Sequence, residues 1–289
     1  MKMNKSGFFW KFRVWFYYKR QEYNRKLLLK RVIKFSRTKQ GNVYYDEGKY
    51  LQRNGLKIFP YNFEKKYRVE DINLYYMNQY PYFVYLGKHL FLPKEFDEQK
   101  SMKYSNQILL EQDDYSPHKY MSSLFTIDRN DVIVDIGCGD GNFSLEHIET
   151  VREAFLFEID QKWKKPLELT FNPWKEKVHI SFVSLEKGSN SVESTLMSSL
   201  ELKNIIFKID VDGAERKILS LLDTLFPKLG SIKVAICTYH QANDAEDFEK
   251  WFIDRGFRTE FSDNYMLFYY DKSIKEPFFR RGILFAVKP

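Results

Sequence analysis

Cysteine is nearly absent from this chain of 289 residues: only Cys138 and Cys237 occur, far apart in sequence. Two isolated thiols supply neither a disulfide framework nor a zinc-ligand spacing, so a reducing, cytoplasmic setting is expected. No apolar stretch approaches the length of a membrane span. The aromatic N-terminus is interrupted by Lys11 and Arg13, which spoils a signal-peptide reading. Internal repeats and low-complexity linkers are lacking too. Acids are scarce at one end only. Residues 1–40 hold 13 Lys and Arg against the single acid Glu22, leaving 33 basic and 38 acidic side chains for the rest. The formal charge of +7 therefore belongs to the N-terminus alone. The mildly acidic remainder argues against a nucleic-acid groove, and no nucleic-acid partner is expected.

What is abundant is aromatic: 26 Phe and 20 Tyr in a chain that is 44% hydrophobic. That supports a substantial core in one large domain with an accessory region. Residues 1–40 read as a basic amphipathic helical segment. Phe8, Phe9, Phe12, Trp15, Phe16, Tyr23 and Leu27 recur at helical spacing between Lys and Arg. Such a helix could lie on an anionic membrane, placing the protein at the inner membrane surface, or pack its stripe on the domain. Residues 41–115 are a mixed accessory or cap region with no assignable chemistry. From 116 to 289 the pattern alternates as α/β. Strands are expected at 132–136, 154–158, 178–183, 205–210, 232–238, 265–270 and 282–287. Helices are expected at 141–151, 161–170, 191–200, 214–226 and 244–255. A doubly wound, Rossmann-like sheet ending in an antiparallel pair fits this order.

The densest signal runs from Asp131 to Phe143. An apolar strand carries Asp135 near its end, and glycines follow at 137, 139 and 141. Glycine permits positive φ and close backbone approach to a ligand, and the next helix offers free N–H groups. The dinucleotide fingerprint would place its third glycine at Asn142. The spacing found, Asp-x-Gly-x-Gly-x-Gly, is typical of class I methyltransferases that use S-adenosyl-L-methionine (SAM). An NAD-dependent oxidoreductase is the first rival.

Other strand ends add chemistry at the same sheet edge. Glu158 closes the second strand and could accept hydrogen bonds from ribose hydroxyls, with Asp160 as runner-up. Ser184 follows the third strand, near where an adenine edge would lie. The fourth strand delivers Asp210, Asp212, Gly213 and Glu215, and the fifth ends in Tyr239 and His240. Histidine titrates near neutral pH, so His240 is the first choice of general base for a hydroxyl, assisted by Asp210 or His118. A divalent metal on Asp210, Asp212 and His240 is conceivable, though no metal is the primary expectation.

Together these residues resemble the FkbM family of SAM-dependent O-methyltransferases, across about 111–289. The specific part is Lys208-Ile209-Asp210-Val211-Asp212-Gly213-Ala214-Glu215, where the family more often has Glu at the place of Asp212. The turn Ser116-Pro117-His118-Lys119-Tyr120 also looks like a family element. The resemblance implies SAM on Asp135, Gly137, Gly139, Gly141, Glu158, Ser184 and Asp210. It places Tyr120, Asp212, Glu215 and Tyr239 beside an acceptor. Sugars, glycans and related metabolites are the acceptors associated with the family. The remaining rivals are a nucleic-acid methyltransferase and a catalytically silent SAM-binding or membrane-surface scaffold. Amino-directed DNA enzymes usually carry an Asp/Asn-Pro-Pro-aromatic turn where this chain has Asp-Val-Asp-Gly.

Overall fold

A computed structural model describes residues 5–183, 192 and 204–289, with the side chains of residues 5–18 left aside. The helix expected at 191–200 and the position of Ser184 fall outside the described residues. The chain divides into two compact units: residues 1–61 with 266–279, and residues 62–265 with 280–289. The segment 41–115 is thus shared between the two.

In the first unit, one long helix α1 (Lys5–Phe35) is followed by α2 (Tyr45–Asn54). Val32, Leu51, Phe59, Leu267 and Phe278 are buried in it. Phe35 meets Phe278 edge-on at 5.6 Å, and Tyr44 stacks on Phe279 at 4.8 Å. The aromatic run at 265–270 is not a strand. It belongs largely to this unit, where Leu267 N–H donates to the Ile58 carbonyl at 2.8 Å. Its apolar character serves that packing and not a sheet.

The second unit opens with an antiparallel meander of β1 (Tyr75–Met77), β2 (Tyr80–Tyr85) and β3 (Lys88–Phe91). Helix α3 (Glu98–Glu111) follows, its first turn capped by Asp97, which accepts from Lys100 N–H at 2.7 Å. The main sheet then alternates with helices: β4 (Val132–Ile136), α4 (Asn142–His147), β5 (Glu153–Glu158), α5 (Lys164–Thr170), β6 (Val178–Phe182), β7 (Ile205–Ile209), α6 (Glu215–Leu225), β8 (Ile232–Cys237), α7 (Asp244–Ile253), β9 (Arg258–Phe261) and β10 (Ile283–Lys288). Its order is β6-β5-β4-β7-β8-β10-β9. Only β10 runs antiparallel, pairing with both β8 and β9. This is the methyltransferase variant of the doubly wound sheet expected from the sequence. The strand that takes the place of 265–270 is β9. Its Arg-Thr-Glu-Phe run is a half-exposed edge strand, which carries little apolar signal.

Central strands β4 and β7 are buried throughout, as helices on both faces require. The core joins their side chains to Ile218, Leu219 and Leu222 of α6 and to Phe248 and Phe252 of α7. Strand order reverses between β4 and β7, so a crevice opens at their carboxyl ends.

Candidate functional site

Three elements meet at that crevice: the loop after β4, the end of β5 and the end of β7. Gly137 sits at φ +73°, and a Cβ there would lie 1.9 Å from the Asp210 carbonyl oxygen. Only glycine lets the two loops touch. Gly139 also has positive φ, +54°, but a Cβ there would meet nothing within 4 Å. The crest of the loop therefore presents bare backbone to open space. Gly141 is the left-handed N-cap of α4.

A buried ion pair supports the loop from below. Lys208 Nζ lies 3.1 Å from Asp135 Oδ1 and donates to the Gly137 carbonyl at 2.6 Å. Ser144 Oγ donates to Asp135 Oδ2 at 2.8 Å. Burial would depress the Lys208 ammonium, but Asp135 and Asp210 hold it above its ordinary value. Asp135 is fully buried, so it fixes the loop and does not face the crevice.

Glu158 ties the loop to β5. Its Oε2 accepts from Gly139 N–H at 2.8 Å, and its Oε1 accepts from the N–H groups of Ile159 and Asp160, each at 2.8 Å. A carboxylate has about four acceptor positions, so one stays available to a ligand hydroxyl.

The crevice encloses about 670 Å³, within the range of small-molecule sites. Gly137, Gly139, Glu158, Asp210 and Asp212 all line it. Phe96, Tyr104 and Trp163 form an apolar wall, with Tyr104 and Trp163 rings 5.4 Å apart. Sequence reasoning missed this wall. Trp163 lay inside an expected helix, while Phe96 and Tyr104 lay in the region without assigned chemistry. Lys208 was also missed as a support, since only the fold brings it beneath Asp135.

Asp210 is the best-connected acid of the crevice. Its Oδ2 accepts from Tyr120 Oη at 2.8 Å, and its Oδ1 lies 3.5 Å from Tyr239 Oη. His118 and His240 each place Nε2 3.7 Å from it. Burial alone would raise its pKa, but the Lys208 ammonium foremost, with smaller contributions from the neighbouring imidazoles, holds it below the usual value. Asp210 is thus ionised and partly open, its side chain 21% exposed.

Tyr120, Tyr239, His118 and Glu215 are buried behind Asp210 and are not among the residues lining the crevice. They orient the groups that face it. His118 Nε2 contacts Tyr239 Oη at 2.9 Å, and burial pushes its pKa down to about 4. His240 differs. Burial would lower its pKa, but Asp212, Glu215 and Asp210 outweigh that and raise it to about 10. A protonated imidazole has no lone pair to accept a proton. This anionic setting favours the imidazolium form of His240 and weighs against its expected role as first-choice base.

No family model matches the chain, and no curated protein matches it. Among solved structures it is similar to methyltransferase FkbM from Methylobacillus flagellatus, at 12% identity over 66% of this chain and 55% of that one, with a TM-score of 0.40. It thus spans about half the length of that protein. It is also similar to precorrin 8W decarboxylase from Methanobacterium thermoautotrophicum, at 16% identity over 56% of this chain and 83% of that one, TM-score 0.38. A third is precorrin-6y C5,15-methyltransferase from Geobacter metallireducens, at 12% identity over 68% and 93%, TM-score 0.40. These likenesses assign neither a family nor a substrate.

Proposed function

We propose that this chain is a SAM-dependent methyltransferase acting on a hydroxyl, with a saccharide or related metabolite as acceptor. One observation carries the reading. Glu158, the bare crest at Gly139 and an ionised Asp210 line one crevice at the switch point of the sheet.

The crevice fits SAM in its parts. The free acceptor position on Glu158 would take a ribose hydroxyl, and the wall of Phe96, Tyr104 and Trp163 offers apolar surface to the adenine. Gly137 and Gly139 let the backbone approach the amino-acid end. When bound, the sulfonium supplies an electrophilic methyl group and leaves as a neutral thioether. Asp210 would accept the hydroxyl proton as the oxygen forms its bond to the methyl carbon. Tyr120 and Tyr239 hold the Asp210 carboxylate in place, so positioning supplies much of the rate. His240 adds positive charge beside Asp210.

Asp210→Asn keeps the size of the side chain and the bond from Tyr120. It is expected to lower methyl transfer to saccharide acceptors by roughly 10²- to 10⁴-fold while leaving SAM affinity unchanged. Label transfer from methyl-labelled SAM to a panel of mono- and disaccharides measures this. Undiminished turnover in the variant would remove Asp210 as the base, and a panel without any labelled product would remove the saccharide acceptor.

A further inference from the structure

The first compact unit holds a cavity of its own, of about 350 Å³, lined by Ser36, Arg37, Tyr45, Lys49, Gln52 and Arg53. That size falls within the range of small-molecule sites. Sequence spacing builds it. Tyr45, Lys49, Gln52 and Arg53 stand at i, i+4, i+7 and i+8 of α2, so they share one helix face. Ser36 and Arg37 directly follow Phe35, the last residue of α1. Gly48 lets the two elements meet, since a Cβ there would lie 1.9 Å from Ser36 Oγ. A glycine inside a helix is unfavourable, and this close approach is its use. Ser36 is buried, while the other lining residues are open to solvent.

The lining holds three cations and no acid. Arg37 is held across the cavity, its Nη2 donating to Gln52 Oε1 at 2.7 Å. Lys49 and Arg53 stand four residues apart, a like-charge spacing that disfavours a helix. Neither forms an ion pair among the described residues. The acids of α2 do not neutralise them. Glu47 is buried and accepts from Tyr61 Oη at 2.8 Å, and Asp46 has no ion pair among the described residues. Cations gathered without a counter-charge favour an anionic ligand. Two guanidinium forks and an ammonium suit the oxygens of a phosphate. A phosphomonoester carries a charge of about −1.5 to −2 at pH 7, which needs more than one cation. The Tyr45 hydroxyl and the Gln52 amide add neutral donors.

We propose that this cavity binds a phosphomonoester, gripped by Arg37, Lys49 and Arg53. Its source is the headgroup of an anionic lipid or a soluble phosphate ester. The site does not rest on the methyl-transfer reading, because all of its residues belong to the first unit.

The test is calorimetry of the full chain with glycerol 3-phosphate. It is joined to co-sedimentation with phosphatidylcholine vesicles carrying phosphatidic acid or phosphatidylserine at matched surface charge. Only phosphatidic acid ends in a phosphomonoester. Saturable binding of one glycerol 3-phosphate per chain is expected, weakened roughly tenfold or more in Lys49→Gln/Arg53→Gln. Both side chains are exposed, so an unchanged thermal melt is expected of this variant. Lys164→Gln/Lys217→Gln removes the same charge from exposed positions of the other unit and should bind as the parent does. A preference for phosphatidic-acid vesicles that the first variant loses assigns the ligand to a lipid headgroup. Binding of glycerol 3-phosphate without that preference assigns it to a soluble ester. Absence of both, unchanged affinity in the first variant, or an equal loss in the second overturns the proposal.

Discussion

Asp140 shows how one side chain beside the crevice sets a pH response. It is buried next to the glycine loop, accepting from Tyr104 Oη at 2.9 Å and Asn142 N–H at 2.9 Å. Burial pushes its pKa up to about 6, from an ordinary value of 3.8. The folded chain therefore binds this proton more tightly than the unfolded chain does. Its contribution to stability is present in full below about pH 4 and is lost as pH rises through about 6, a change on the order of 2–3 kcal/mol. Urea unfolding across that window should show stability falling with pH, and Asp140→Asn should flatten the fall. A slope identical in the variant would refute the assignment. Nothing in the sequence pointed to this residue, because Asp140 is only a residue between two glycines until the Tyr104 hydroxyl reaches it. Glu158 was legible by contrast, since a carboxylate ending the second strand of such a sheet has few other places to be.

At the level of elements, the loop between β4 and α4 separates two uses of glycine. Gly137→Ala would force a Cβ to 1.9 Å from the Asp210 carbonyl and should disrupt the contact between β4 and β7. Gly139→Ala meets open space and carries only the left-handed backbone cost of about 1–2 kcal/mol. The first variant is expected to express poorly or melt far below the parent. The second should fold, with a modest drop in Tm, yet bind SAM at least tenfold more weakly because its methyl group enters the crevice. Thermal melts and calorimetry on both variants check this, and equal behaviour of the pair would contradict the geometry. The buried parallel strands were readable because both faces are covered and the apolar runs are continuous. The edge strand β9 was not readable, since one of its four residues is exposed and none is fully buried. The aromatic run at 265–270 misled for the converse reason: it is apolar enough for a strand, but Met266 and Leu267 are buried without a sheet, where Leu267 N–H meets the Ile58 carbonyl. The anionic surroundings of His240 were not readable, because a lone histidine at a strand end says nothing of the carboxylates that fold around it.

On the scale of the whole molecule, charge is split between the N-terminus and the rest. Among the described residues, no helix is long and apolar enough to cross a membrane. In α1, Lys19, Arg20, Lys26 and Lys30 are exposed. Contact of this helix with an anionic surface remains our proposal, at about 1 kcal/mol per basic residue near such a surface. Replacing these four residues with Gln should reduce co-sedimentation with vesicles containing anionic lipid by at least tenfold at moderate salt, and equal sedimentation would remove the proposal. The catalytic reading depends on the other unit, where one crevice at the sheet's switch point joins a cofactor side to an acceptor side. Its most direct test is calorimetry of the full chain with SAM and with its demethylated product. Stoichiometric binding is predicted, weakened roughly 10- to 100-fold by Glu158→Ala through loss of hydrogen bonds to a charged group. No binding by the parent chain, or undiminished binding by Glu158→Ala, would contradict the account.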